Sequence, residues 1–431
     1  MLSPAVKPNQ AARRPRRSSS ALLLCAAMLW CEAAFAIGAF RPPPPTPTPT
    51  PAPAAPLLPQ RADKKPDPDA SLIAIYKDLG NNRRKEALAK ADALVAAYPN
   101  FRLAHLVRGD ILLAQAKPVQ GFGAGANATP DKIADFRAEA QARIRALQQK
   151  PDPDMAPRSL LQLREDQTHA LVVDTRQSRL YVYQHQNGRL RFITDYYISH
   201  GKFGVNKFKE GDQRTPLGVY YVTSRLPRAK LPDFYGSGAL PINYPNEWDK
   251  LHGRSGSGIW LHGTPAANYS RPPLASDGCV VLTNPDLEQL YLSVEAGKTP
   301  VVIAERVEFV NKTRRESERQ QAAKMVEDWR ADLESLDSAK FLANYSPRFK
   351  AANGDNLQAW YAKNRLQANA TSNLSIKLRE VTLFRYPDVP DMVVATFTQD
   401  TYFGKNKYTS RKRQYWQKEG PSWKVMYETL L

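Results

Sequence analysis

The chain of 431 residues contains three cysteines, Cys25, Cys31 and Cys279, and the third lies beside residues that could make it reactive. A free thiol has a pKa of about 8.5 and is mostly protonated at neutral pH, so a nucleophilic cysteine needs a base. His262 precedes Cys279 by seventeen residues, which one excursion between adjacent strands can span. Gly278 would let the backbone turn so that amides near Cys279 face a developing oxyanion. The alternative interpretation is an inert, buried cysteine near an unrelated histidine.

The other two cysteines fall in a segment with the features of an export signal. An apolar stretch from Ala21 to Trp30 follows the four arginines of residues 13–17 and ends near Ala34 and Ala36, which is typical of a secretory signal peptide. Its apolar core has about half of the roughly 20 residues that a membrane span needs. We therefore expect Sec export, removal of residues 1–36, no remaining membrane span, and a location in the periplasm or cell wall. Cys279 would then be the single cysteine, too few for an internal disulfide.

The formal net charge of the chain is +19 at pH 7. Basic chains often bind nucleic acid, but no zinc-finger, helix-turn-helix or aromatic-basic RNA motif is present. An exported basic protein meets the anionic polymers of the envelope instead. We therefore expect no nucleic-acid partner. We also expect no cofactor, and no metal, because His262 with one cysteine supplies too few ligands.

Composition and periodicity change along the chain and predict a multi-domain protein. A proline-rich stretch at 37–69 is typical of a semi-rigid spacer, and residues 70–150 have the periodicity of helices, including a tetratricopeptide-like pair. Alternation of period two from residue 170 predicts a mainly-β domain at 165–308, with a long binding loop or lid before residue 258. A charged helix at 314–336 and later long strands predict an α+β cone or roll at 318–431.

The sequence around the two candidate catalytic side chains resembles that of the L,D-transpeptidase (YkuD-like) catalytic family. The matching motifs are His262-Gly-Thr264 and Ser276-Asp-Gly-Cys279. Further ordered blocks of the family match residues 171–174 with 179–183, 198–201 and 211–220, so the resemblance spans about 171–305. It implies a β-rich domain whose cysteine attacks a carbonyl in peptidoglycan stem peptides.

The resemblance also implies a role for each matching residue. Cys279 would be the nucleophile, and His262 would be the base that activates it and later protonates the leaving amine. A backbone carbonyl, of Gly263 or near Ser276, would hold the tautomer of His262. The backbone at Gly263 and around Gly278 would support the site and form the oxyanion hole. In the family's usual reaction D-alanine leaves a tetrapeptide, and an amine takes the acyl group to form a 3→3 crosslink.

Two positions differ from the family's common Ser-His-Gly-Cys-x-Arg motif. Asp277 replaces the histidine, and Val281 replaces an arginine that is credited with binding a substrate carboxylate. Valine cannot form that bidentate pair, so another cation would have to supply the charge. The candidates for the missing charge are Arg214, Lys202 and Arg254, and the candidate substrate-binding residues are Ser276, Arg214, His200, Tyr244 and Arg254. We expect a role in a turn for Asp277, rather than orientation of His262, and a structural role for His252.

The altered motif, the long loop and the appended domain look like a subgroup of the family that includes L,D-carboxypeptidases. Those enzymes pass the acyl group to water, so trimming of a tetrapeptide, or hydrolysis of a wall-protein crosslink, is an alternative to transpeptidation. A non-catalytic wall-binding scaffold is the alternative of another class. The C-terminal section resembles nuclear-transport-factor-2-like (SnoaL-like) domains, which implies a concave pocket. Either terminal region could support a homodimer or bind an envelope protein.

Overall fold

The computed structural model describes residues 65–119, 121–364 and 374–431. The predicted signal peptide at 1–36, which holds Cys25 and Cys31, and the predicted spacer as far as residue 64 lie outside these residues. Within the described ranges, no helix has the length and apolar character needed to cross a membrane.

Helices form the first described part of the chain: α1 (Pro68–Gly80), α2 (Arg84–Ala97), α3 (Arg102–Ala116) and α4 (Pro130–Gln148). The first helix begins at Pro68, slightly before the predicted helical region, because the Asp67 carboxylate accepts hydrogen bonds from the N–H groups of Asp69 and Ala70. Buried side chains of these helices form one core that also includes a residue of the following domain: Leu72, Ile75, Leu94, Phe101, Val107, Ile111 and Tyr269.

A mainly-β region follows and contains the candidate catalytic pair. Its elements are β1 (Met155–Pro157), β2 (Leu160–Gln162), β3 (His169–Asp174), β4 (Arg179–Gln186), β5 (Arg189–Tyr197), β6 (His200–Gly201), β7 (Gly218–Tyr221), β8 (Leu226–Pro227), β9 (Gly238–Pro241), α5 (Glu247–Leu251), β10 (Trp260–His262), β11 (Leu274–Ser276), β12 (Val280–Val281), α6 (Asn284–Ser293), β13 (Pro300–Ala304) and β14 (Phe309–Asn311).

Two of the sheets in this region enclose its core. One sheet has the order β5-β4-β3-β13-β7, and the other has the order β12-β10-β9-β8. Their strands carry β-branched and leucine side chains that pack together and exclude water: Leu171, Val173, Leu180, Val182, Leu240, Leu261, Val280 and Ile303. The second sheet carries the candidate site. The long segment predicted as a loop contributes β8, β9 and α5 to this region, so part of it is regular structure.

The C-terminal part contains α7 (Lys312–Glu334), α8 (Ser338–Ala343), β15 (Tyr345–Ala351), α9 (Leu357–Asn364), β16 (Leu374–Arg385), β17 (Met392–Phe403), β18 (Asn406–Glu419) and β19 (Ser422–Leu430). The strands form a sheet of order β15-β19-β18-β17-β16-β2. The edge strand β2 comes from the segment between α4 and β3, far from the other strands of this sheet in the sequence, and was not expected from the sequence. Its residues Leu160 and Leu161 are both buried, in cores on the two sides of the sheet. The predicted fold class, with a helical N-terminal region, a mainly-β domain and an α+β domain, is confirmed.

Candidate active site

Two short parallel strands bring the candidate nucleophile and base together. In the pairing of β10 with β12, Leu261 lies opposite Val280 and His262 lies opposite Val281. The Leu282 N–H donates to the His262 carbonyl at 2.8 Å and extends this register. Because side chains alternate between the faces of a strand, Cys279 and His262 lie on the same face. Leu261 and Val280 lie on the opposite face, in the buried core.

A tight turn, Ser276 to Cys279, presents the thiol. The Ser276 hydroxyl donates to the Cys279 carbonyl at 2.6 Å and accepts from the Gly278 N–H at 3.1 Å. Gly278 has a φ of 122°, and a Cβ there would lie 2.7 Å from the carbonyl oxygen of Arg214. The turn therefore requires glycine. Since the Gly278 N–H is engaged by Ser276, the amide donors available for an oxyanion must come from other residues around Cys279.

His262 is buried and held by a backbone carbonyl. Its Nδ1 lies 2.7 Å from the Gly263 carbonyl oxygen, the contact predicted for orienting the ring. Nδ1–H therefore donates, which leaves Nε2 as a proton acceptor. Burial lowers the pKa of His262 to about 4; the Gly263 carbonyl opposes this shift, and the charge of Arg271 adds to it.

Cys279 has the opposite shift for the same reason. Burial, with a smaller contribution from the charge of Asp277, raises the pKa of the Cys279 thiol to about 11. A hydrogen bond from the Trp260 backbone and the charge of Arg271 counteract this rise. The thiol donates to the Gly258 carbonyl at 3.3 Å. At neutral pH the resting pair is therefore a neutral thiol beside a neutral imidazole, and the proton must move during attack.

Gly263 is positioned by a residue that lies outside the recognised motifs. The side-chain oxygen of Asn284 accepts from the Ser237 N–H at 2.9 Å and from the Thr264 N–H at 3.2 Å. Its amide group donates to the Thr264 carbonyl at 2.8 Å. A Cβ on Gly263 would lie 2.1 Å from the Asn284 oxygen, so this close contact requires glycine. Asn284 thus fixes the segment whose carbonyl holds His262.

The structure separates the candidate substrate-binding residues into two groups. Ser276 belongs to the catalytic turn, and the Arg214 backbone packs against that turn while its guanidinium donates to the Val205 carbonyl at 3.0 Å. Arg254, in contrast, pairs with the buried Asp249 at 3.0 Å. The Tyr244 hydroxyl donates to the Ser255 carbonyl at 3.1 Å. Arg254 and Tyr244 are therefore already occupied by partners within the long segment before β10.

Three other polar residues lie in or near the catalytic turn: His200, Asp277 and Lys202. The ring of His200 is buried, its Nδ1 has no hydrogen-bond partner among the described residues, and burial lowers its pKa to about 4. The exposed Asp277 accepts from Gln213 at 2.7 Å and pairs with Lys202 at 3.5 Å, so it does not orient His262. The Lys202 ammonium is thus next to the catalytic turn.

His252 packs its ring on Trp248, with the ring centroids 4.2 Å apart, and bonds the Trp248 carbonyl at 2.8 Å. These contacts support the structural role expected for it. In the described part of the chain, no group of three or more His, Cys, Asp or Glu side chains could hold a metal ion.

An arginine that the motifs did not indicate lies beside the pair. Arg271 follows β10 in the loop that leads to β11, and its guanidinium carbon lies 4.9 Å from the centroid of the Phe234 ring. The Phe234 ring in turn contacts that of His262, with centroids 5.6 Å apart. A single sequence offers no signal for this placement, because Arg271 sits among loop residues with no family motif.

Comparisons with known proteins match two parts of the chain to domain families. The YkuD family model, described as the L,D-transpeptidase catalytic domain, matches residues 168–303. The model of the Cds6 C-terminal NTF2-like domain matches residues 321–429. No curated protein sequence matches the chain.

Two solved structures resemble the chain over most of their own length. Bd1075 from Bdellovibrio bacteriovorus is 29% identical, with a TM-score of 0.55 over 64% of this chain and 99% of Bd1075. The helical cell shape determining protein Pgp2 from Campylobacter jejuni is 22% identical, with a TM-score of 0.54 over 63% of this chain and 95% of Pgp2, and shares the fold. Residues 168–303 are therefore identified by the family models as an L,D-transpeptidase catalytic domain of the YkuD family, and residues 321–429 as an NTF2-like domain.

Proposed function

We propose that the protein is a cysteine-dependent L,D-transpeptidase that acts on peptidoglycan stem peptides. The observation that carries this proposal is the pairing of β10 with β12, which puts Cys279 and His262 on one face of the second sheet. The carbonyl of Gly263 holds Nδ1 of His262, so Nε2 is the nitrogen that exchanges protons with the thiol and the substrate.

The reaction would begin with attack of the Cys279 sulfur on the carbonyl of the L-centre of the diamino acid. The thiol proton passes to Nε2 of His262 as the carbon–sulfur bond forms, and amides around Cys279 stabilise the oxyanion. Collapse breaks the carbon–nitrogen bond, and His262 returns the proton to the departing amine of D-alanine. The product is a thioester on Cys279.

The second half of the reaction depends on the acceptor. An amine of a second stem peptide would form a 3→3 crosslink or attach a wall protein, whereas water would give a tripeptide or cleave a wall-protein crosslink. In both cases the acceptor loses a proton to His262 and the Cys279 thiol is regenerated. Hydrolysis is the second candidate because Asp277 and Val281 replace the histidine and arginine of the common motif.

The remaining regions would deliver and orient this domain. We propose that residues 1–36 direct export and that the proline-rich stretch after them spaces the folded part from its point of emergence. The catalytic domain would occupy 165–308. The C-terminal domain at 318–431 would bind glycan, an envelope protein or a second copy. The helix α7 begins at Lys312, so the expected boundary at residue 318 falls within this helix.

One assay separates the candidates. The purified protein is incubated with a disaccharide tetrapeptide, and the products are identified by mass spectrometry. A crosslinked dimer indicates transpeptidation, a tripeptide monomer indicates hydrolysis, and unchanged substrate indicates a non-catalytic scaffold. The Cys279→Ala variant is expected to release no D-alanine, and undiminished release by this variant would contradict the cysteine mechanism.

A further inference from the structure

We propose that the guanidinium of Arg271 binds the terminal carboxylate of the stem peptide, and so supplies the charge that Val281 cannot. The inference rests on the proposed function and names a residue of the same site. It depends on four features of Arg271: its place beside the catalytic pair, its lack of a counter-charge, its electrostatic effect on the Cys279 thiol, and the contacts that fix its loop.

The loop that carries Arg271 connects the two halves of the site. Residues 263–273, hereafter the connecting loop, run from the end of β10 to the start of β11. The guanidinium lies over the Phe234 ring, and that ring contacts His262. The Phe234 ring thus contacts both the Arg271 guanidinium and the catalytic base. Arginine over an aromatic face keeps its hydrogen-bond donors free in the plane of the guanidinium.

Arg271 has no counter-charge of its own. Among the described residues, no carboxylate forms an ion pair with its guanidinium. Burial lowers the pKa of Arg271, and Asp277 and Cys279 offset this effect only in part. A partly buried cation without a partner is costly in the free protein, and a bound carboxylate would remove this cost.

The position of Arg271 fits the terminal carboxylate of the stem peptide. In a tetrapeptide the terminal carboxylate belongs to the residue after the scissile bond, so its carbon lies about 3 to 3.7 Å from the attacked carbonyl carbon. The cations whose charges act on the Cys279 thiol include Arg271 and Lys207. Lys207 is buried and already pairs with Asp212 at 2.9 Å. Of these two, Arg271 is therefore the one available to the substrate.

The helical region contacts the connecting loop at Tyr269 and Ser270. The Tyr269 ring packs against Tyr98 and Phe101, with centroids 4.7 and 4.8 Å apart. The Ser270 hydroxyl donates to Glu139 at 2.6 Å. These contacts fix the residues just before Arg271, so the cost of ordering the loop is met in the free protein.

The Arg271 backbone itself has a direct anchor on the catalytic domain. The Tyr197 hydroxyl donates to the Arg271 carbonyl at 2.8 Å. Tyr197 is the last residue of β5, an edge strand of the first sheet, and it is buried. The helical region and the first sheet thus both determine where the guanidinium lies.

The test compares two substrates on each variant. One is a disaccharide tetrapeptide with a free terminal carboxylate, and the other carries a carboxamide at that position. For the unmodified protein we expect kcat/KM to favour the carboxylate by about 10- to 100-fold, as for a charge-assisted bidentate contact. Arg271→Met is expected to raise KM for the carboxylate and to bring the ratio near one. Arg271→Lys should retain part of the preference.

Arg225→Met is the matched control, because Arg225 also lies over an aromatic ring, with its guanidinium carbon 5.2 Å from the Tyr291 centroid. We expect it to keep the full ratio. Because the ratio compares two substrates on one preparation, partial loss of folded protein cancels. An undiminished ratio in Arg271→Met would overturn the proposal while the proposed function stands. No release of D-alanine by the unmodified protein would overturn both.

Discussion

Arg143 and Arg271 both contact Tyr197, and their surroundings differ in one respect. Arg143 is fully buried and stacks on the Tyr197 ring at 4.0 Å, and it pairs with Asp69 at 2.6 Å and Glu139 at 3.0 Å. Burial acts to lower the pKa of Arg143, but these carboxylates outweigh it and raise the pKa. For Arg271 burial lowers the pKa, and the carboxylate and thiol nearby do not compensate.

The difference suggests separate roles for the two arginines: Arg143 stabilises the fold through ion pairs, and Arg271 is the proposed ligand-binding cation. The cluster around Arg143 continues through Asp69 to Arg179, at 3.0 Å, and from there to Asp195. It joins α1, α4 and the first sheet with every charge paired. The catalytic face instead holds a neutral imidazole, a neutral thiol and an unpaired guanidinium. The proposed anion would therefore bind at the second place, where a guanidinium has no carboxylate partner among the described residues.

The largest effect is expected from His262→Gln. Glutamine cannot accept the thiol proton or return it to the leaving amine, so kcat should fall by about 10³- to 10⁴-fold. The measurement is the initial rate of D-alanine release. His252→Gln is the matched control, because His252 packs on Trp248, and it should retain a rate near that of the unmodified protein. Equal losses in the two variants would contradict the assignment of the base.

The next largest effect is on the free energy of unfolding, and it distinguishes the paired Arg143 from the unpaired Arg271. Arg143→Met leaves Asp69 and Glu139 buried without their shared partner, so the free energy of unfolding should fall by about 3–5 kcal/mol. Arg271→Met removes no ion pair and should lower it by less than about 1 kcal/mol. Urea unfolding of both variants measures these changes. If both variants lost the same stability, the distinction between paired and unpaired arginines would be wrong.

The smallest effect is the response of the reaction to pH. The pKa of His262 is lowered to about 4, so its neutral, accepting form is present above that pH. The pKa of Cys279 is raised to about 11, so the thiol stays protonated below that pH. We therefore expect kcat/KM to vary by less than about twofold between pH 6 and pH 8. A steep rise or fall centred in that range would contradict a neutral resting pair.

The same pair can be tested without substrate. Alkylation by iodoacetamide requires the thiolate, whose fraction rises about tenfold per pH unit below the thiol pKa. The alkylation rate should therefore keep rising through pH 9. A rate that levels off near pH 6 would indicate a preformed thiolate.

The catalytic pair could be predicted from the sequence because its determinants are local. His262, Gly278 and Cys279 stand in short motifs, and the strands that carry them have regular alternation. The contact of His262 with the carbonyl of Gly263 joins two residues that are adjacent in the chain at the end of β10. Such features depend on few distant contacts, so a single sequence contains them.

The residue that binds the substrate carboxylate could not be predicted from the sequence, because its choice depends on which charged side chains are already paired in the folded protein. Arg254 was a candidate, but Asp249, five residues earlier, neutralises it. Arg271 stands in a loop sequence without a recognisable motif. Its importance follows only from the structure, where its guanidinium lies over the Phe234 ring and pairs with no carboxylate of the described residues. The role of Asn284 and the transfer of β2 to the C-terminal sheet likewise depend on contacts between distant segments.

The most direct test of the central claim is capture of the acyl-enzyme. The protein is mixed with tetrapeptide, quenched in acid and analysed by intact-mass and peptide-mapping mass spectrometry. The account predicts an added mass equal to the substrate without D-alanine, located on Cys279, removed by hydroxylamine and absent in Cys279→Ala. An adduct on another residue, or one that persists in Cys279→Ala, would contradict it.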